Sequence, residues 1–408
     1  MKQSLQRYLL TLFVLLLAIP LSAYDFKADG IYYNLLYAAE NKVEVTSAPN
    51  GMEKYSGYII IPDTVEYDGN DYTVTTIGYE AFYRCTSLTG IEIPESVTSI
   101  AGNAFYRCSS LAAVDLPDSV TSIGSRAFRG CTSLAAVEIP GSVTSIGVEA
   151  FYGCTSLAAV EIPASVISIE NMTFRDCTSL TAVDIPSSVT SIGTGAFRGC
   201  TSLTAIDLPA SVSSIGDSAF RGCASLTAMD IPSSVTTIGD YTFSGCTSLT
   251  AVEIPASVTS IGNSAFRDCT SLTAVEIPAS VTSIGAGTFR GCTSLTGIDI
   301  PSSVTTIGDY AFRGCTSLSR IKIPYSVTSI GNNALYACPS LESIYYNTYS
   351  PIACYLDFRV EKYGKIILYI PIGSRAAFET PAPWCIFENK VEIHFGELPK
   401  SIPMIWAK

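Results

Sequence analysis

The chain has 408 residues, of which 15% are charged and 48% hydrophobic, against roughly 25% charged in an average soluble domain. That leaves ample apolar surface to bury and excludes disorder over most of the chain. The formal charge of −12, from 24 basic and 36 acidic residues, argues against phosphate backbones, so nucleic acid is not an expected partner. A single histidine, His394, excludes multi-histidine metal sites and most histidine-based acid–base chemistry.

Residues 1–23 read as a secretory signal peptide. Lys2 and Arg7 precede an apolar run from Tyr8 to Leu17, and the segment ends on Ala23. The run is shorter than the ~18–20 residues of a membrane span, and no later segment is long and apolar enough to be one. Removing the leader takes away those two positive charges and leaves −14 (−12 − 2). The expected product is exported, at the cell surface or secreted, with the periplasm left open. No transmembrane segment is expected after cleavage.

Residues 24–57 form the expected N-terminal β cap. Asp29-Gly30, between Phe26 and the run Ile31 to Leu36, is a hairpin signal. Ile59-Ile60-Ile61-Pro62 then opens the repeats, and the insertion Glu66 to Asp71 predicts a second hairpin. From 58 to 345 the chain repeats itself. Twelve cysteines from Cys85 to Cys338 are each 23 residues apart, and Leu88 to Leu341 keep the same step. So do eleven prolines, Pro94 to Pro324, and eleven phenylalanines, Phe82 to Phe312, with Leu335 closing that column. Fixed self-similarity at this length is the mark of a leucine-rich-repeat solenoid.

One unit, Leu249 to Ser271, shows the physics. In Val252-Glu253-Ile254 apolar residues alternate with an outward acid, as on a strand. Pro255 ends it, because proline has no amide for a ladder. Val258 and Ile261 turn inward on a second short strand, and Gly262 is expected to supply a sharp turn. Ala265 to Cys269 reads as one helical or 3₁₀ turn that lays Phe266 and Cys269 on the core. A single unit has no interior and is buried only by its neighbours. The predicted fold class is a right-handed, β-rich α/β solenoid, about 50–55 Å long at ~4.8 Å per step. Residues 346–408 are read as a degenerate repeat and C-terminal cap: Leu368-Tyr369-Ile370-Pro371, a helix from Ser374 to Phe378, and a last strand near Val391 to Ile393.

Units reading Ile-Pro-x-Ser-Val-Thr-Ser-Ile-Gly-x-x-Ala-Phe-x-x-Cys-x-Ser-Leu resemble the BspA-like leucine-rich repeats of bacterial surface proteins. The opening Tyr24 to Tyr33 and the closing Tyr369 to Ser374 with Trp384 resemble that family's cap segments. The resemblance covers nearly all of the chain after the leader. It implies an exported interaction protein, some relatives being adhesins for host matrix proteins or aggregation factors, and it carries no catalytic residues. It names no ligand.

A solenoid turns each repeat position into a column. The cysteines are read as free thiols in the core: in-register Cβ atoms stand ~4.8 Å apart, beyond the roughly 3.5–4.5 Å that a disulfide prefers. A straight row does not give a metal its tetrahedral geometry, so no metal and no cofactor is expected. The outward strand position carries Glu92, Asp115, Glu138, Glu161, Asp184, Asp207, Asp230, Glu253, Glu276 and Asp299, before Lys322 reverses the sign. Ala or Gly beside each acid leaves it accessible. The column is either a solvated face that keeps the sheet from stacking, or a track for a basic protein segment or divalent cations. After each phenylalanine stands a basic and aromatic stripe, Arg129, Tyr152, Arg175, Arg198, Arg221, Arg267, Arg290 and Arg313, with Tyr83, Tyr106 and Tyr336 extending it. Such a stripe solubilises, or clamps a glycan or anionic polymer.

The sequence therefore predicts a binding protein, not an enzyme, since no acid, base and nucleophile converge. Its expected partner is a protein or surface macromolecule, host extracellular matrix among them, with a glycan as the second choice. The acidic strand face is the first candidate surface and the Arg/Tyr stripe the second. The rival reading is a structural spacer whose faces are merely soluble.

Overall fold

A computed structural model describes residues 24–49, 54–352, 354 and 364–395; the leader expected at 1–23 lies outside them. The chain starts with a three-stranded antiparallel cap, β1 (Phe26–Ala28), β2 (Ile31–Leu35) and β3 (Lys42–Thr46). Asp29 and Gly30 turn the first hairpin with φ of 45° and 84°, the backbone that an Asp-Gly pair supplies cheaply. Strand β4 (Gly57–Ile60) is followed by β5 (Thr64–Tyr67) and β6 (Asn70–Ile77), which pair antiparallel as the predicted second hairpin. Tyr55 ties cap to stack: its hydroxyl donates to the Thr46 carbonyl at 2.8 Å and accepts from the Tyr32 amide at 2.9 Å.

From β7 (Leu88–Glu92) onward the units repeat two corners, and the short strands that form there pair in parallel with those of a neighbouring unit. Ser122 stands opposite Ser145, and Glu161 opposite Asp184, each partner 23 residues away. Between the two strands the proline carbonyl accepts the amide of the valine three residues on, at 3.0 Å from Val258 to Pro255. The proline that ends one strand thus opens the turn into the next.

The core is a set of identical columns. Ten adjacent phenylalanine pairs from Phe82 to Phe312 stack with centroids 5.1–5.7 Å apart and ring planes within 12°. The array cysteines are free, buried and useful. Eleven times, from Cys108 to Cys338, the thiol donates to the phenylalanine carbonyl 26 residues earlier, at 3.0–3.2 Å. Cys354 is half-buried and packs against the same core.

Two local expectations are corrected. Where a helical turn was expected, the chain makes successive β-turns. The amides of Arg267 and Cys269 bond within the unit, to Ser264 and Phe266, while those of Phe266 and Asp268 reach the next unit, to Thr288 at 2.9 Å and Arg290 at 2.7 Å. Ser264 and Asp268 sit at φ of 54° and 58°, which breaks the right-handed run a helix needs. Half the amides of this arc therefore stitch the rod lengthwise. Second, Gly262 is demanded by space and not by a special φ: a Cβ there would lie 2.7 Å from the Asp240 nitrogen in the preceding unit.

The C-terminal end closes with strands Ile367–Pro371 and Asn389–Ile393, and 3₁₀ turns Arg375–Phe378 and Trp384–Ile386. Trp384 is fully buried, packs on Tyr346 at 4.5 Å and donates its indole N–H to the Ile352 carbonyl at 2.7 Å.

Candidate functional site

All ten acids of the strand-face column are exposed. Their arrangement follows from the alternation: Val160 is buried, so Glu161 points out, and parallel register places it beside Asp184. Asp230 and Glu253 repeat the pairing. Among the described residues none of the ten carboxylates makes a hydrogen bond or ion pair. Six lie within strands: Glu92, Glu161, Asp184, Asp230, Glu253 and Asp299. Asp115 and Glu138 follow two-residue strands directly. Asp207 and Glu276 depart from expectation, because residues 203–209 and 272–278 carry no strand. The acid-bearing ladder is the looser of the two: the Thr204 amide reaches its partner at 3.4 Å and the Thr273 amide at 3.2 Å, whereas Thr121, Thr144 and Thr259 on the other corner do so at 2.9 Å. Adjacent carboxylates repel, by roughly 1 kcal/mol in water and several times more near a surface, and wider spacing relieves it.

The face has ends that the sequence did not advertise. Register places Ile60 opposite Glu92, and Tyr58 and Ile60 are 64% and 62% exposed. At the other end Asp299 is followed in the same column by Lys322, Tyr345 and Tyr369, whose rings stack at 4.5 Å. The acidic track is thus bracketed by aromatic and apolar side chains. The small-residue column beside it is likewise closed at its ends, by the Tyr58 ring over Gly90 and by Arg320 beside Gly297.

The Arg/Tyr stripe is different in kind. Arg129, Tyr152, Arg175, Arg198, Arg221, Arg267, Arg290 and Arg313 are all half-buried, and most contact one another or near neighbours. The Arg129 guanidinium lies 4.3 Å from the Tyr152 ring centre, with Arg175 5.1 Å from the same ring. Arg221 sits over Tyr241, and Arg313 over Tyr310 and Tyr336. Arg267 pairs with Asp268 at 3.1 Å and Arg175 with Asp176 at 3.5 Å. Arg126 and Arg129 both pair with Glu149. Burial works to raise that carboxyl, but the two guanidinium groups together outweigh it and hold Glu149 below its ordinary value. Burial, followed by the charges of Arg175 and Arg221, pulls Arg198 down from its usual value.

One feature of the turn arc was missed in the sequence. Each unit has two positions with positive φ, four residues apart. The first takes side chains of many kinds. The second, two residues after the phenylalanine, is glycine in seven units, and Asp176, Asp268 and Ala337 occupy three more. Arg84 and Arg107 hold it in the first two units, both at φ 56° and both exposed. A residue with a Cβ in this region costs roughly 1–2 kcal/mol relative to glycine, and the local contact here is that of the Arg107 guanidinium with the Tyr106 ring, at 5.5 Å. Beside them opens a groove of about 520 Å³ whose floor includes Gly130 and Gly153. The signal that would have found it is the departure from glycine in that column.

Among the described residues no group of His, Cys, Asp or Glu is placed to hold a metal ion, and no helix is long and apolar enough to cross a membrane.

Comparison with known proteins fits this geometry. Residues 70–181, 167–296 and 236–354 match the family described as BspA type leucine rich repeat region, in six copies. The chain belongs to the BspA-type leucine-rich repeat family. A leucine-rich repeat protein from Bacteroides ovatus is 33% identical over 79% of this chain and 95% of its own, with a TM-score of 0.57. A leucine rich cell surface protein from Faecalibacterium prausnitzii is 34% identical over 79% and 94%, also at 0.57. The pneumococcal vaccine antigen PcpA shares the fold at 18% identity and a TM-score of 0.52, over 91% and 99%. No curated protein matches the chain. BspA-type repeats belong to bacterial, cell-surface-associated proteins of the interaction-scaffold kind, a class typically without enzymatic activity.

Proposed function

We propose that this BspA-type protein is exported and acts as an adhesin-like binder that holds a basic segment of another protein along its acidic strand face. The observation that carries the reading is the contrast between the two candidate surfaces. The ten strand-face carboxylates are exposed and unpartnered, whereas the arginines of the turn stripe are half-buried and largely engaged with tyrosines and acids of the rod itself. A free, repeated charge supports many weak identical contacts that sum along the rod, in the manner of a multivalent ligand. Tyr58 and Ile60 at one end, and Tyr345 and Tyr369 at the other, supply the aromatic and apolar anchors that charge alone lacks. A host matrix protein with clustered lysines and arginines is the partner of matching chemistry.

The test is capture of the purified protein on an array of extracellular-matrix proteins, mucins and bacterial surface extracts. Binding is expected to weaken steeply with salt. Glu138→Lys, Glu161→Lys, Asp184→Lys and Asp207→Lys combined should abolish it without changing the thermal midpoint. Salt-independent capture, or capture that survives the four reversals, would remove the acidic face as the working surface.

A further inference from the structure

The groove over Gly130 and Gly153 combines features that nothing above explains. The chain places arginine, at positions 84 and 107, where seven other units have glycine in the same left-handed conformation. Side chains in this column lean over the following unit: a Cβ on Gly130 would lie 3.0 Å from the Cγ of Arg107. Arg107 therefore overhangs a floor on which two successive side chains are missing. Arg129 forms a further wall, and Tyr152 holds its guanidinium at 4.3 Å. Among the described residues neither Arg84 nor Arg107 has a carboxylate partner, and none of the groove's lining residues is acidic. Glu149, which pairs with the wall residue Arg129, is shared with Arg126. Beyond Gly153 the same column continues as Asp176, so the positive field ends there.

Within a chain of charge −12, this is a local site for an anion. Its lining contains hydroxyls and bare glycine backbone and lacks an exposed aliphatic pocket, which suits a polar, hydroxyl-rich ring better than the apolar anchors of a peptide. Successive units advance by about one strand spacing, ~4.8 Å, close to the length of one pyranose residue, so a linear polymer can meet one guanidinium per sugar. We propose that this groove binds an anionic polysaccharide, with sulfate or uronate groups on Arg84 and Arg107 and a sugar ring lying over Gly130 and Gly153.

The experiment compares the protein with Arg84→Gly/Arg107→Gly, replacements that the backbone favours and that leave folding intact. Heparin, hyaluronan, neutral dextran and polyglutamate are the probes. The wild type should bind heparin or hyaluronan, the better of the two showing whether sulfate or uronate is preferred, and should leave dextran unbound. Each arginine lost should weaken binding at least about tenfold. The strand-face reversals should leave it in place, which separates this site from the acidic track. Three results would overturn the proposal: no binding of either anionic glycan, equal binding by the double variant, or polyglutamate bound as well as the glycans, which would make the groove an acidic-peptide site.

Discussion

The rod is expected to hold its structure up to about pH 8.5 and to come apart between roughly pH 9 and 11 under reducing conditions. Burial raises eleven array thiols above their ordinary value of 9.0, to about 11 for Cys85, to about 12 for Cys131, Cys177, Cys246 and Cys292, and well above 9.0 for Cys154, Cys200, Cys223, Cys269 and Cys315, with Cys108 shifted the same way. A group whose folded value is raised contributes stability that is complete below its unfolded value and is lost as pH climbs through the folded one. Above pH 9 the unfolded chain sheds these protons and the folded rod keeps them, so stability falls by roughly 1.4 kcal/mol per pH unit for each thiol. Ionisation would also remove the S–H donor and set a thiolate against the phenylalanine carbonyl that Cys200 faces at 3.1 Å. One pH unit above 9 the array as a whole loses on the order of 10 kcal/mol, comparable with the stability of an ordinary domain. Circular dichroism against pH reads this directly. Replacing Cys177, Cys200 and Cys223 together by Ala should lower stability at neutral pH yet flatten its alkaline slope. Stability unchanged from pH 8 to 11 would contradict the buried-donor account of the column.

The second large effect lies in the aromatic spine. Phe220 is fully buried, 5.7 Å from the rings of Phe197 and Phe243, and its carbonyl accepts the Cys246 thiol at 3.2 Å. Phe220→Ala should cost about 3–5 kcal/mol, because flanking units fixed by two strand ladders cannot collapse into the space. In a one-dimensional stack, stability is a sum of unit and interface terms, so a weak interface in the middle uncouples the halves. Denaturation should then split into two transitions where the wild type shows one. Phe220→Leu should cost less than about 1.5 kcal/mol and keep a single transition, since Leu335 already fills the same column in the last unit. Equal losses for Ala and Leu would mean that the ring stack, not filled volume, supplies the stability.

What the sequence made legible is what the period carries. The 23-residue step of cysteine, leucine, proline and phenylalanine gives the stack, the core columns and the outward acids, because each position in a solenoid inherits its environment from its neighbours. The Asp29-Gly30 hairpin and the Glu66 to Asp71 insertion were equally plain, since turn chemistry is local. The arc after Gly262 was not, because Ala265 to Cys269 spaces its buried residues as a helix does. Only the lengthwise bonds of alternate amides, with positive φ at Ser264 and Asp268, distinguish successive turns from a helix. The engagement of Arg129 with Glu149 was hidden for another reason: it joins different columns of successive units, so neither column alone carries the signal. Arg84 and Arg107 stand out only against the glycines that hold the same left-handed position in seven other units.

The most direct test of the binding account is carboxyl footprinting of the protein, alone and with its captured matrix partner. Carbodiimide-driven labelling read by mass spectrometry reports each acid separately. Protection on binding should fall on Glu138, Glu161, Asp184 and Asp207, while Asp217 and Asp240, whose carboxylates accept backbone amides in the turn arc, label equally in both states. Unchanged labelling of the strand-face acids in a saturated complex would contradict the account and move the working surface elsewhere on the rod.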